Sequence, residues 1–129
     1  WRVSLVSQRV IDRKGLTFAL RSAFTRVLKQ LEIQPDFILI DGRSDFSSAC
    51  DSLAIVKGDC LVTSIAAASI IAKVTRDRYM SRLHDQYPDY NFTQHKGYGT
   101  DQHRQSLKNF GPSSVHRLSF KPVKQYAIS

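Results

Sequence analysis

The chain has 129 residues, which suits one domain over residues 1–129 that is large enough to bury a core. A hydrophobic fraction of 42% and a charged fraction of 23% are ordinary for globular proteins, and no apolar run approaches the roughly 20 residues of a membrane span. The formal charge of +8 favours a polyanionic partner such as nucleic acid, or else reflects no more than a basic surface.

The N-terminal third predicts a strand, a turn and a long helix. Residues 2–7 alternate between polar and apolar, which is typical of a strand. Residues 12–15 are polar and turn-like. Apolar residues then recur at helical spacing over 16–31 and form one stripe, with basic and polar residues on the other side, and Pro35 ends the segment.

Two short apolar runs follow, and each is followed by an aspartate. Residues 37–40 predict a strand that is buried on both faces, as in the middle of an α/β sheet, and Asp41 comes directly after it. Residues 43–52 are rich in Ser and Asp and predict a loop. Residues 53–56 predict a second strand, and Asp59 lies shortly after it.

The C-terminal half predicts mainly helices. Residues 62–86 form the longest predicted helix, whose first half is rich in Ala and Ser, small residues that let a helix lie close to a sheet. A loop rich in aromatic, basic and Gly residues is expected at 89–100, a short helix at 101–110 and a semi-extended basic tail after Gly111. The order strand, helix, strand, strand, helix predicts an α/β layer fold.

Asp41 and Asp59 are candidate metal ligands because both follow predicted strands. A strand end holds a side chain rigidly, and Mg²⁺ and Mn²⁺ prefer hard oxygen ligands such as carboxylates. A two-metal phosphodiesterase site needs about three or four such groups. The alternative is an ordinary turn after each strand. Glu32 lies at a helix end and Asp77 is expected to pair with a neighbouring arginine such as Arg76, so neither completes the set.

The cysteines and the N-terminus bear on cellular location. Cys50 and Cys60 form no CxxC pair and have no His at zinc-ligand spacing, so two reduced thiols in a cytoplasmic protein are expected. Residues 1–7 are too short and too alternating for a signal peptide. Because the first residue is Trp1 and not Met, the chain is expected to begin inside a longer one.

Four ordered blocks of sequence carry a family resemblance. They are KGD at 57–59, SIAAASIIAKVTRDRYM at 64–80, HKGYGT at 95–100 and GPSSVHRLSF at 111–120. In order and spacing they resemble bacterial ribonuclease HII, and the resemblance extends back through LIDG at 39–42 and IDRKGL at 11–16. It covers essentially the whole chain, which makes it far more specific than any one block.

The resemblance implies a ribonuclease H-like fold, a mixed sheet flanked by helices with a helical C-terminal part. It also implies two-metal cleavage, with Mg²⁺ or Mn²⁺, of the RNA strand of RNA–DNA hybrids and of ribonucleotides embedded in DNA. Asp41 and Asp59 match two of the family's four metal-binding acids. The other two form an adjacent Asp-Glu pair in an Asp-Glu-Ala-Gly-Arg-Gly motif on the first strand, and this chain contains no adjacent Asp-Glu.

That departure leaves several functions open. Residues 1–7 resemble the family's third strand, so the first two strands are expected to be missing, with one sheet edge exposed. The chain is either part of the metal-dependent nuclease, monomeric when complete, or a non-catalytic remnant that binds hybrids. An unrelated basic α/β nucleic-acid binder is a third alternative, which would make the four blocks a coincidence.

The resemblance and the composition of the blocks also indicate substrate contacts. Tyr98 matches the family tyrosine that packs beside the ribose at the junction, although a loop tyrosine can instead fill a local core. Lys96, His95, His116 and Arg117 are expected to hold backbone phosphates, with a solvated basic surface as the alternative. For His116 a structural role is a further alternative, because a lone histidine in a tail is more often structural than catalytic.

A further candidate contact lies on the long predicted helix. Lys73 follows Ser69 by one helical turn, so both lie on one helix face. If that face borders the carboxylates, Lys73 can stabilise phosphate charge. Packing of the helix on the sheet is the competing explanation, and it is the preferred one for Ser69.

Overall fold

The computed structural model describes residues 1–43 and 50–127, and it has the α/β class that the sequence predicts. Helices predominate, and two parallel strands form the sheet of the described residues. No helix among these residues is long and apolar enough to cross a membrane. In chain order the elements are α1 (Gln8–Gln30), β1 (Phe37–Asp41), β2 (Asp51–Ile55), α2 (Gly58–Leu61), α3 (Thr63–Gln86), a 3₁₀ turn (Pro88–Tyr90), α4 (Phe92–His95), α5 (Asp101–Phe110) and α6 (Val123–Tyr126).

The N-terminal helix begins earlier than the sequence predicts, and it is interrupted. α1 contains the helix predicted at 16–31 almost entirely, but Gly15 breaks it at φ 82° and ψ 165°, in the positive-φ region that glycine adopts most readily. In place of the turn predicted at 12–15, the helix α1 is interrupted at the single residue Gly15. The strand predicted at 2–7 is wrong. These residues are irregular, because no described strand lies beside them to complete their backbone hydrogen bonds.

β1 and β2 are parallel neighbours, with Phe37 opposite Asp51 and Asp41 opposite Ile55. Both predicted strands are thus confirmed, with the second displaced towards the N-terminus, and their carboxyl ends meet at one edge of the sheet. The prediction that β1 is buried on both faces is wrong. Phe37 is 53% exposed whereas Ile40 is 2% exposed, because the described helices pack on one face of the strand.

The segments around β2 differ from the prediction in two places. Of the loop predicted at 43–52, residues 44–49 lie outside the described residues and the last two belong to β2. The helix predicted at 62–86 is confirmed as α3, but a separate short helix, α2, precedes it. A Cβ at Gly58 would lie 2.7 Å from Ile65 Cδ1, so a larger residue where α2 begins against α3 would require the end of the Ile65 side chain to shift.

The main hydrophobic core lies in the C-terminal half. Its buried members come from α3, the 3₁₀ turn, α4, α5 and α6: Leu83, Tyr90, Phe92, Leu107 and Val123. The helix predicted at 101–110 is confirmed as α5, and it begins where the Thr100 hydroxyl accepts a hydrogen bond of 3.3 Å from the His103 N–H. The loop predicted at 89–100 contains short helical turns, and the tail ends with α6 instead of being extended throughout.

One carboxylate ties α1 to the C-terminal tail. Asp12 accepts hydrogen bonds of 3.0 Å from the backbone N–H groups of Leu118 and Ser119, and a further one from the Ser119 hydroxyl. Burial acts to raise the pKa of Asp12, but these hydrogen bonds and the charge of Arg117 together hold it below its usual value. The tail is therefore joined to a helix that lies 106 residues earlier in the sequence.

Replacing Leu107, which is 1% exposed in the main core, by alanine is expected to lower the free energy of unfolding by about 2–5 kcal/mol. The reason is that the change removes buried methyl groups and leaves a cavity. Urea denaturation followed by circular dichroism measures the loss. Leu61→Ala is the matched control, because Leu61 is 72% exposed. Equal losses in the two variants would contradict the assigned core.

Candidate active site and nucleic-acid surface

Asp41 is held at the carboxyl end of β1. Its Oδ1 accepts a hydrogen bond of 2.8 Å from the backbone N–H of Gly58, the first residue of α2. The residue is exposed, and its second carboxylate oxygen makes no hydrogen bond to any residue of 1–43 or 50–127. One oxygen is therefore fixed by the protein while the other is open to a cation.

Asp59 reaches the same edge of the sheet because the chain turns sharply after β2. Lys57 has φ 57° and ψ 36°, a left-handed conformation, and α2 starts directly after it. Asp59 lies in the first turn of α2, next to the Gly58 N–H that binds Asp41. The two aspartates are thus brought to one edge, although Asp59 lies in a short helix and not in the strand itself.

The Cys60 thiol lies beside both carboxylates, and the sequence pattern alone does not assign it to this edge. The negative charge of Asp59 is the main cause that raises the pKa of this exposed thiol, followed by a hydrogen bond with Asp59, desolvation and the charge of Asp41. The charges of both carboxylates therefore affect the same thiol, and their combined negative potential attracts cations. Cys50 and Cys60 are free thiols, as expected.

The carboxylates at this edge have the chemistry that a hard divalent cation prefers, but they are fewer than a two-metal site needs. Asp41 and Asp59 supply oxygen ligands of the kind that Mg²⁺ and Mn²⁺ prefer. Across the described part of the chain, no group of three or more His, Cys, Asp or Glu side chains is able to hold a metal. The ion pair expected between Asp77 and Arg76 or Arg78 is not formed within the described residues. The two aspartates therefore remain candidate ligands, and their part in a two-metal site stays a prediction.

Lys73 and Ser69 both face solvent on α3. Neither side chain has a hydrogen-bond partner among the residues that the structure describes, so the Lys73 ammonium can meet a phosphate, and that contact stays a prediction. Packing on the sheet, the explanation preferred for Ser69, is wrong because the residue is exposed. Its neighbour Ile70 is 63% exposed, so this side of α3 is uncovered here.

A second surface lies around Tyr98, in the loop between α4 and α5. Tyr98 is 60% exposed and so does not fill a core, and the Arg76 guanidinium lies over its ring at 4.6 Å from the ring centre. Arg76 also donates a hydrogen bond of 2.6 Å to the Lys96 carbonyl. Sequence reasoning missed Arg76. The available signal is its spacing of four and seven residues before Met80 and Leu83, which puts it on the helix face that packs on the main core.

Arg76, Tyr98 and Arg117 line one cavity of about 630 Å³, which is bounded on another side by residues from Leu5 to Ile11. Arg117 stacks on the Phe120 ring at 3.9 Å. Burial, and then the positive charge of Arg76, lower the pKa of Arg117. Two guanidinium groups therefore share a partly enclosed space, and an anion that entered it would relieve their repulsion.

Comparison with known proteins identifies the family. A family model described as Ribonuclease HII matches residues 2–123. The chain belongs to the ribonuclease HII family. It is 48% identical over 123 residues to the ribonuclease HII of Chlamydia trachomatis serovar A, and 50% identical over 118 residues to that of Coxiella burnetii. These alignments cover 95% and 92% of this chain.

The ribonuclease HII relatives are longer than this chain. The alignments cover 56% of the Chlamydia protein and 58% of the Coxiella protein, so the chain spans little more than half of their length. A crystal structure of the ribonuclease H2 from Pyrococcus horikoshii OT3 is similar, with a TM-score of 0.75 and 26% identity. That similarity covers 95% of this chain and 66% of the archaeal one. The expected ribonuclease H-like fold is confirmed.

Two histidines of this ribonuclease HII family member lie in the interior. His95 and His116 are 5% and 6% exposed, and both ring nitrogens of each are hydrogen-bonded within the protein. This geometry supports a structural role for them and not the expected contact with phosphate. Lys96 and Arg117 remain candidates for that contact. The Lys96 ammonium donates a hydrogen bond of 3.2 Å to the Ser81 hydroxyl, which holds it beside α3.

His116 is expected to make stability depend on pH. Burial is the main cause that lowers its pKa from 6.5 to about 4, so between these values the unfolded chain is protonated there and the folded chain is not. The contribution of His116 to the free energy of unfolding should be complete above pH 6.5. It should decline as the pH falls towards 4, by at most about 3 kcal/mol. Thermal unfolding at a series of pH values measures the decline. His116→Gln should flatten it, and an unchanged profile in that variant would contradict the assignment.

Proposed function

We propose that this chain supplies two metal ligands and a nucleic-acid-binding surface to a metal-dependent ribonuclease H. This surface, which we call the grip, lies around Tyr98 and Arg76. The substrates are the RNA strand of RNA–DNA hybrids and ribonucleotides embedded in DNA. The observation that carries the proposal is the hydrogen bond from the Gly58 N–H to Asp41, which joins Asp41 to the helix turn that holds Asp59. Membership of the ribonuclease HII family supports the choice of substrate.

The role proposed for Asp41 and Asp59 is to hold Mg²⁺ or Mn²⁺ at the exposed sheet edge. When bound, such cations activate the attacking water and stabilise the leaving 3′-oxygen of a phosphodiester. The protein fixes the ligands: the Gly58 N–H holds one oxygen of Asp41, and the first turn of α2 holds Asp59. The family resemblance assigns the remaining two acids to an Asp-Glu pair that this sequence does not contain.

The grip is centred on Tyr98 and Arg76. An exposed aromatic face can stack on a sugar or a base, and guanidinium groups contact phosphates without reading sequence. Because the Arg76 guanidinium lies 4.6 Å from the Tyr98 ring centre, one bound nucleotide can contact both. We assign further phosphate contacts to Arg117, which lines the same cavity, and to Lys96 and Lys73.

A second candidate function is hybrid binding without catalysis. The observation that favours it is that the described residues hold no group of three or more side chains suited to a metal. In that case the surface around Tyr98 would bind the hybrid, and Asp41 and Asp59 would hold at most one weakly bound cation. The two candidates differ in whether an Asp-Glu-Ala-Gly-Arg-Gly segment joins the site.

Mn²⁺ is expected to broaden the amide NMR signals around Gly58, because this cation is paramagnetic and Asp41 and Asp59 are its proposed ligands. Asp41→Asn and Asp59→Asn should each weaken Mn²⁺ binding at least about tenfold, since even the loss of an outer-shell partner has an effect of that size. Asp51→Asn is the matched control, because Asp51 lies at the opposite end of β2. Equal broadening in the parent chain and all three variants would contradict the assigned ligands.

Tyr98→Ala and Arg76→Ala are each expected to weaken binding of a labelled RNA–DNA hybrid by roughly tenfold, because base or sugar stacking on one ring contributes about 1–3 kcal/mol. Fluorescence anisotropy at several salt concentrations measures the affinity. Arg76→Ala should also reduce the salt dependence, because a phosphate contact is lost.

Arg78→Ala is the matched control for Arg76→Ala, because Arg78 is exposed on the same helix but does not line the cavity. Its affinity should stay close to that of the parent chain. Similar losses in the two arginine variants would mean that binding depends on overall charge and not on the Tyr98 surface.

A further inference from the structure

We infer that a series of three buried imidazoles, those of His95, His103 and His116, positions the Tyr98 loop for its nucleic-acid contact. The inference rests on the proposed function, in which Tyr98 touches the substrate. The three histidines are 5% or 6% exposed, although histidine is seldom so completely buried. Because they lie in the interior, they act through Tyr98 and are positioning residues.

The direction of the backbone hydrogen bonds determines which nitrogen of His116 carries the proton. Its Nδ1 accepts a hydrogen bond of 3.0 Å from the Ser113 N–H and lies 2.8 Å from the Ser113 hydroxyl. A ring nitrogen that accepts has no proton, so in the neutral ring the proton is on Nε2. That Nε2–H faces His103 Nε2 at 3.0 Å.

His103 therefore carries its proton on the opposite nitrogen. Its Nε2 accepts from His116, and its Nδ1–H donates to the Tyr98 carbonyl at 3.0 Å. Each hydrogen bond from Ser113 to Tyr98 thus has one donor and one acceptor when both rings are neutral. A second proton on His103 would place two N–H groups against each other across 3.0 Å.

His95 fixes the other side of Tyr98. Its Nδ1 accepts a hydrogen bond of 3.1 Å from the Gly97 N–H, and its Nε2–H donates to the Tyr90 carbonyl at 2.6 Å. The His95 carbonyl accepts from the Tyr98 N–H at 2.8 Å. The Tyr98 carbonyl therefore accepts from the His103 imidazole and also from the Thr100 N–H at 2.9 Å, and the Tyr98 N–H donates to the His95 backbone, while the side chain remains exposed for a ligand.

The loop needs this restraint because its backbone has a conformation that few residues adopt. Lys96 has φ 48° and Gly97 has φ 78°, both in the left-handed region. Such a conformation persists for a non-glycine residue only where the surrounding structure holds it. The His95 imidazole supplies part of that support through the Gly97 N–H, and Arg76 supplies another part through the Lys96 carbonyl. The rings of His95 and His103 stack with centres 4.3 Å apart and an angle of 9° between their planes.

The surroundings of His103 and His116 favour the neutral forms of these two rings. Tyr90 and Phe92 pack against His116, with ring centres 4.8 Å and 5.5 Å away. Burial lowers the pKa of both His103 and His116, in agreement with the donor and acceptor assignment. His103 and His116 therefore hold the loop at neutral pH without adding a charge beside the substrate.

Long-range ¹H–¹⁵N NMR spectra of the 129-residue chain test the proton positions directly. We expect neutral rings protonated on Nε2 in His95 and His116, and on Nδ1 in His103. A proton on Nε2 of His103 would overturn the series. This measurement needs no nucleic acid, so it does not depend on the proposed function.

Two substitutions of His103 test its action through Tyr98. His103→Asn keeps a side-chain donor for the Tyr98 carbonyl, whereas His103→Leu removes the side-chain donor and leaves the carbonyl with the Thr100 N–H alone. We expect His103→Leu to shift the Tyr98 amide signal and to weaken hybrid binding roughly tenfold, as Tyr98→Ala does, and His103→Asn to retain most of the affinity. The double variant His103→Leu with Tyr98→Ala should lose no more than either single variant, because both changes remove one contact.

His84→Leu is the matched control, because the His84 ring lies outside the series and its buried Nδ1 has no hydrogen-bond partner among the described residues. Its affinity and its Tyr98 signal should match those of the parent chain. Unchanged Tyr98 signals in folded His103→Leu, or losses that multiply in the double variant, would overturn the positioning role.

The results also separate this inference from the proposed function. If the parent chain bound no hybrid, the proposed function would fail, while the proton positions and the Tyr98 signals would still decide whether the imidazoles hold the loop. If His103→Leu did not fold, His103→Asn and the spectrum of the parent chain would decide the question.

Discussion

The parallel pairing of β1 with β2 is the constraint on which the carboxylate edge depends. Because Asp41 lies opposite Ile55, the carboxyl ends of the two strands are together, and the chain that leaves β2 turns there at once. The left-handed backbone of Lys57 and the missing Cβ of Gly58 let α2 pass close to Asp41 and to α3. The second half of α3 carries Arg76, so one helix joins the carboxylates to the grip.

Buried polar groups, and not only apolar packing, define the loop of the proposed grip. The main core holds α3, α4 and α5 together, and imidazoles inside it donate hydrogen bonds to the backbone carbonyls of Tyr90 and Tyr98, the second of which also accepts from the Thr100 N–H. Asp12 completes the assembly by joining the tail to α1. The result is a surface with the exposed Tyr98 ring and two guanidinium groups, which suits binding of a sugar–phosphate backbone.

Local patterns predicted much of the fold. α5 was predictable because Thr100 and Gly111 mark its ends, and α3 because it is long and Pro88 follows it. Features that depend on contacts with other parts of the chain were not predictable from local patterns. Residues 2–7 alternate like a strand, but no described strand pairs with them, and the burial of His116 depends on a fold that brings distant segments together. The positions of the two aspartates at one edge of the sheet were predictable, because both follow strands. Arg76 was recognised as a candidate contact only from its position over the Tyr98 ring.

The central claim is that this chain contains the grip and part of the metal site. Incubating it with a labelled duplex that contains one ribonucleotide, in Mg²⁺ or Mn²⁺, tests this most directly, with binding and cleavage followed in the same sample. The account predicts binding that weakens as salt is added and no cleavage, because the Asp-Glu pair that the family resemblance implies is absent from this sequence. Metal-dependent cleavage beside the ribonucleotide by this chain alone would contradict it, as would a failure to bind at low salt.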